Sequence, residues 1–152
     1  MDLPSVLLIG SDHAGFSVKE KVREMLAKEY PSLTVKDCGC FDETSVDYPD
    51  VAKTVGEAVA KDKTHKGILI CGSGIGISIA ANKVNGVRAA EVWDTTSARL
   101  SREHNDANIV CFGARLIGIE VALDIVRVWL RSGFLGGRHE QRVKKIAQLE
   151  SL

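Results

Sequence analysis

Ile68-Leu69-Ile70-Cys71-Gly72-Ser73-Gly74-Ile75-Gly76-Ile77-Ser78 joins an apolar run to a glycine-rich turn and then to the start of a helical pattern. A short apolar run closed by glycine reads as a buried strand, and this one delivers a thiol to the mouth of a loop. Glycines at 72, 74 and 76 allow a sharp turn and a close approach of backbone to a ligand. The first N–H groups of the helix that follows have no intrahelical partner and carry partial positive charge, which attracts anions. Thiolates are favoured at helix N-termini and the same amides can stabilise an oxyanion. The stretch therefore suits proton abstraction from, or nucleophilic attack on, a negatively charged small molecule. The plain alternative is packing, because cysteine is among the most buried residue types. The loop lacks the Gly-Lys-Ser/Thr of a Walker A sequence. Its Gly-x-Gly-x-Gly spacing also departs from the dinucleotide fingerprint Gly-x-Gly-x-x-Gly, although Glu91 near the end of the next strand could be offered as a ribose-binding acid.

Outward from this segment, apolar runs alternate with helical periodicity. Strands are predicted over 6–10, 33–38, 68–71, 87–92 and 108–112. Helices are predicted over 16–30, 49–61, 95–103 and 116–130, with another running from Gly136-Gly137 to the end of the chain. Val22, Leu26 and Tyr30 mark one face of the first helix, and Pro49 suits the first turn of the second. Strands separated by helices require right-handed crossovers and a parallel sheet of about five strands covered on both faces. The chain of 152 residues reads as one α/β domain over 1–152, large enough to bury a core without metals or disulfides.

Composition narrows the partners. Twenty basic and twenty acidic side chains cancel, so no global charge points to nucleic acid or to a membrane surface, and any anion site must be local. The run Val6-Leu7-Leu8-Ile9 is too short for a signal-peptide core or a spanning helix, which makes an intracellular, cytoplasmic protein the expectation. The four cysteines are then expected to be thiols. Cys38-x-Cys40 lacks a second zinc-ligand pair and Cys111 lies inside an apolar run, so no metal is expected.

Ligands of open α/β sheets sit beyond the carboxyl ends of the strands, so the segments after strands one, three, four and five are expected to converge. After the first strand come Asp12 and His13. The aspartate could orient an imidazole, bind sugar hydroxyls or merely cap the next helix, and the histidine could donate to a phosphate. The helix after the fourth strand leads to His104 and Asn105, where the imidazole could act in the site or simply meet the terminal carbonyls. Arg138 and Arg142 share a helix face behind the glycine pair. They could fork a phosphate or belong to a solvated basic face with Lys144 and Lys145.

The blocks Gly10-Ser11-Asp12-His13-Ala14-Gly15, Asp47-Tyr48-Pro49, Cys71 to Lys83, Ser101-Arg102-Glu103-His104-Asn105-Asp106, Phe112-Gly113-Ala114-Arg115 and Gly136 to Arg142 together resemble the type B ribose-5-phosphate isomerases. The wider family also includes allose- and galactose-6-phosphate isomerases. The resemblance spans essentially the whole chain. It implies a Rossmann-like three-layer α/β/α sandwich working as a homodimer or a pair of dimers, with the C-terminal helix, residues 137–150, completing the site or the dimer. It implies interconversion of ribose 5-phosphate and ribulose 5-phosphate without a cofactor, in the non-oxidative pentose phosphate branch. Cys71 matches the proton acceptor that works through a cis-enediolate, and Gly72, Ser73, Gly74, Ile75 and Gly76 match the loop that cradles the anion. His104 matches the acid/base for opening the furanose ring. Asp12, Tyr48 and Asn105 would contact sugar hydroxyls, and His13, Arg115, Arg138 and Arg142 the phosphate or its approach. One branch of the family carries glutamate where this chain has Ile77 and lacks the cysteine. The chain follows the cysteine branch, with Ser73 where some members have threonine. The acidic loop 42–47 receives no role. The runner-up readings are a binding protein for a phosphorylated metabolite or nucleotide, with Cys71 merely packed, and a hexose-6-phosphate isomerase of the same family.

Overall fold

The computed structural model describes residues 2–151, so the two terminal positions of the predicted domain lie outside it. Five strands form one wholly parallel sheet: β1 (Val6–Ser11), β2 (Val35–Asp37), β3 (His65–Cys71), β4 (Ala89–Glu91) and β5 (Ile109–Gly113), in the order β2-β1-β3-β5-β4. The helices are α1 (Phe16–Glu29), α2 (Tyr48–Ala60), α3 (Ile75–Ala81), α4 (Thr95–Asn105), α5 (Ile119–Arg131) and α6 (Arg138–Gln148), the last running into a short 3-10 turn, Leu149–Ser151.

Alternation along the strands builds two cores. Leu7, Ile9, Ile68, Ile70, Val110 and Phe112 face a layer made by α1, α4 and α5, whose Val22, Leu26, Ala98, Ile125 and Trp129 are buried there. Leu8, Leu69, Cys71, Ile109 and Cys111 face α2 and α3, against Val51, Val55, Val59, Ile77 and Ala81. The expected three-layer α/β/α sandwich is present. No helix among the described residues is long and apolar enough to cross a membrane.

Boundaries differ where chain-end geometry overrides pattern. The second strand shortens to Val35–Asp37 because Leu33 donates its N–H back to the Tyr30 carbonyl at 3.0 Å in a turn. The fourth shortens to Ala89–Glu91 because the Val87 N–H is taken by Val84 at 3.1 Å. The fifth helix begins at Ile119 rather than 116, since the N–H groups of Leu116 and Ile117 both turn to the Gly113 carbonyl and Gly118 is extended.

One charged group is sealed into the first layer. Lys19 has no exposed surface, and its Nζ donates to both Asp37 oxygens at 2.7 and 2.8 Å beside the rings of Phe16 and Phe41. Burying an ammonium is tolerable only with such a partner, and removing one member of a buried pair costs more than replacing charge by apolar volume. Asp37→Asn should therefore lower unfolding free energy by about 3–5 kcal/mol. Lys19→Met, which leaves Asp37 the Gly39 amide and Arg23, should cost less. Urea denaturation of both variants checks the order, and an equal or reversed order would contradict it.

Candidate active site

The sheet reverses its direction of growth between β1 and β3, since β1 leads outward to β2 while β3 leads toward β5 and β4. Such a switch point leaves a crevice beyond the strand ends. Cys71 ends β3 there, 3% exposed, and Asp12 follows β1, tied by its N–H to the Ile70 carbonyl at 3.2 Å. The turn after Cys71 folds back tightly. Gly74 has φ +80, and a Cβ there would lie 2.7 Å from the Phe112 backbone, so glycine is required on both counts. Its N–H donates to the Cys71 Sγ at 3.1 Å, and the Ile75 N–H donates to Ser73 Oγ at 3.2 Å.

A groove of about 610 Å³ covers this turn, lined by Asp12, Tyr48, Cys71, Gly72, Ser73, Ile75, Gly76, Ile79, Arg115 and Leu116. Asp47 is the extended N-cap of α2, and Tyr48 opens the helix with its ring laid so closely over Gly76 that a Cβ there would overlap it. Arg115 is held by its N–H on the Gly72 carbonyl at 3.0 Å, and its Nη1 stands 3.2 Å from where a Cβ on Gly72 would be. Asp12 supports the entry to α1, where its Oδ1 accepts the Gly15 N–H at 3.0 Å, and also borders the groove. An adjoining compartment of about 450 Å³ shares Asp12 and Tyr48 and adds His13 with residues 45–50. Polar donors, a thiol and a guanidinium thus face one groove with apolar walls at Ile79 and Leu116, a setting suited to a small polar anion.

His104, Asn105, Arg138 and Arg142 lie elsewhere. A crossover helix runs antiparallel to the strands it joins, so the last turn of α4 stands at the amino edge of the sheet, a strand length of roughly 13 Å from the edge that holds Cys71. There Arg88, just before β4, donates to the Asn105 and Asp106 carbonyls, and Asp106 closes α4 in the left-handed region at φ 45. The His104 ring stacks on His139 of α6 at 4.2 Å between centroids. Desolvation in the stack holds the His139 imidazole below its usual pKa, with repulsion from His104, Arg138 and Arg142 adding to it. The predicted convergence after the fourth strand therefore does not occur within one chain. The segments after β1, β3 and β5 meet, while α4 carries its histidine away.

His139, Ile79, Leu116 and Val46 were not singled out from the sequence. His139 lies between two arginines whose shared helix face is the stronger pattern, and Val46 lines the adjoining compartment with no side-chain chemistry to mark it. Cys38, Cys40 and Cys111 are free thiols, and burial pushes Cys111 well up from the ordinary thiol range, with lesser effects from Cys71 and Glu91. Among the described residues, no cluster of three or more His, Cys, Asp or Glu side chains could hold a metal ion.

Residues 7–146 match the ribose/galactose isomerase family. The chain is 44% identical to ribose-5-phosphate isomerase B of Escherichia coli over 95% of each chain. It superposes on ribose-5-phosphate isomerase B of Clostridium thermocellum with a TM-score of 0.92 and 49% identity, covering 96% of this chain and 97% of that one. A ribose-5-phosphate isomerase B of Mycoplasma genitalium with bound ribulose 5-phosphate gives a TM-score of 0.91 at 38% identity over 96% of each chain. By sequence over nearly its whole length and by fold, the chain belongs to the ribose/galactose isomerase family.

Proposed function

We propose that the protein is an aldose–ketose isomerase that interconverts D-ribose 5-phosphate and D-ribulose 5-phosphate through a cis-enediolate. The observation that carries this reading is the Cys71 sulfur at the mouth of the Gly72–Gly76 turn, with the Gly74 N–H donating to it and Arg115 over the same groove. The Cys71 thiolate takes the proton from C2 of the open-chain aldose, and the electron pair moves onto the carbonyl oxygen to give the enediolate. Return of the proton to C1 and transfer of a hydroxyl proton between O2 and O1 complete the ketose. The substrate's own carbonyl acidifies the carbon that loses its proton, so a placed base and hydrogen-bond donors at the developing oxyanion supply the catalysis. Ser73 and the turn amides are assigned to that oxyanion, with Asp12 and Tyr48 on the sugar hydroxyls.

The rest of the assignment requires a second chain. His104 as the ring-opening acid/base, Asn105 on a hydroxyl, and Arg138 and Arg142 on the phosphate can act with Cys71 only if another copy presents its amino edge to this groove. We therefore infer a homodimer with two shared sites, as an isologous interface would create. Support comes from apolar side chains left uncovered on both surfaces: Ile75, Ile79 and Leu116 at the thiol edge, Ile146 and Leu149 near α6. A groove of about 630 Å³ containing Asn105, Ile146 and Leu149 lies on the second surface. The four free thiols and a metabolic sugar phosphate fit an enzyme of the cytoplasm.

Isomerisation of ribose 5-phosphate by the purified protein tests the function. Cys71→Ala should cost about 10²–10⁴ in kcat with the fold retained, and Cys71→Ser should also be severely impaired. Near-normal turnover by a folded Cys71→Ala protein would remove the thiol from the mechanism. His104→Asn should impair single turnover of ribose 5-phosphate far more than that of ribulose 5-phosphate, which cannot close to a furanose. Equal losses would deny the ring-opening role. Co-refolding Cys71→Ala with His104→Ala should give heterodimers in which one site has both groups intact. With about half of the dimers mixed, roughly a quarter of normal activity should return. No recovery in heterodimers verified by mass would show that the two groups do not come from different chains.

A further inference from the structure

His13 lines the compartment that opens off the thiol groove, and its hydrogen bonding bears on which ring nitrogen carries the proton. The Val46 N–H donates to His13 Nδ1 at 3.2 Å. A backbone amide only donates, so Nδ1 must offer its lone pair, and the proton of the neutral ring sits on Nε2. The opposite tautomer would point two hydrogens at each other and leave that amide unpaired.

The amide is not free to drift. Upstream of it the segment is fixed to the end of β1, where the Ser11 N–H donates to the Gly39 carbonyl and the Cys40 N–H donates to the Ser11 carbonyl, both at 2.7 Å. The Gly39 N–H in turn donates to Asp37 Oδ1 at 2.9 Å, the carboxylate gripped by buried Lys19. Within the loop Asp42 Oδ1 accepts the Thr44 N–H at 2.8 Å, and two residues beyond Val46 the chain enters α2 at Tyr48.

We infer that the Val46 backbone N–H is a positioning group that locks His13 in its Nε2–H form and so makes Nε2–H the donor presented to a phosphate oxygen of the substrate. The inference rests on reading the site as one for a sugar phosphate. It gives loop 42–47 a task performed by its main chain. In this arrangement His13 contributes a directed hydrogen bond, and the arginines supply the charge.

Heteronuclear NMR of the histidine ring nitrogens reads the tautomer directly, with inorganic phosphate as the binding probe and kinetics on ribose 5-phosphate alongside. Wild-type protein and Val46→Ala, which keeps the amide, should both show the Nε2–H form. Val46→Pro, which removes the N–H, should show both tautomers, bind phosphate roughly tenfold more weakly and raise KM more than it lowers kcat. The histidine variants test the same point without depending on how the proline variant folds. His13→Gln sets an amide nitrogen near the Nε2 position and should keep most of the phosphate affinity, whereas His13→Asn sets its amide near Nδ1 and should lose about tenfold. An Nδ1–H ring in the wild-type protein, or equal phosphate affinity in His13→Gln and His13→Asn, would overturn the inference. Absence of isomerase activity in wild-type protein, with the tautomer and the phosphate affinities as expected, would instead overturn the isomerase reading and leave this one standing.

Discussion

The turn from β3 into α3 lies directly against the end of β5, backbone on backbone, and the site depends on that contact. A Cβ on Gly74 would meet the Phe112 main chain, and one on Gly113 would meet Ser73 at 2.5 Å, so a side chain on either glycine would hold the two strand ends apart. The contact is locked by the Ala114 N–H on the Cys71 carbonyl at 2.8 Å and the Arg115 N–H on the Gly72 carbonyl at 3.0 Å. These bonds register the thiol strand with the arginine strand. Cys71 and Arg115 are 44 positions apart in sequence, yet their relation is fixed by two main-chain hydrogen bonds and is insensitive to rotamer choice.

The parallel topology that creates this edge also divides the chemistry. Crossover helices must return to the amino edge before the next strand begins, so whatever ends α4 is carried away from whatever ends β3. The chain does not soften this separation. It fastens α4 with the Asp94–Ser97 capping box at one end and with Arg102 bonded to Asp106 and the Ala107 carbonyl at the other. His104 is thus held firmly in a place where its own thiol cannot use it. In the homodimer proposed above, such rigid separation would present each half of the site already formed to its complement, which lowers the cost of association.

Much of this was legible in the sequence, for identifiable reasons. Strands with both faces covered read as continuous apolar runs, which made 68–71 and 108–112 plain. The edge strands β2 and β4 carry half-buried, mixed residues, and their limits were set by turns that hydrophobicity does not encode. Cys71, its glycines and Asp12 stand out by their spacing after strands, Tyr48 and Arg115 only through the family motifs, and all of them but Gly74 line one groove. The position of His104 relative to Cys71 was not legible. Motif order along a chain says nothing of which end of a sheet a helix terminus reaches, and the expected convergence ignored the direction of the crossover. His139 and Val46 were invisible for opposite reasons: the one acts by stacking across two helices, the other through an amide that every residue but proline possesses.

The sealing of Lys19 beneath Phe16 and Phe41 has a chemical consequence of its own. An amine with no solvent-exposed surface cannot be acylated from solution, so a reagent that modifies the protein's surface lysines within seconds meets Lys19 only when the β2–α1 corner opens. Since Asp37, the partner of Lys19, also anchors the loop that leads to His13, the acylation rate of this one side chain becomes a clock for the integrity of the corner.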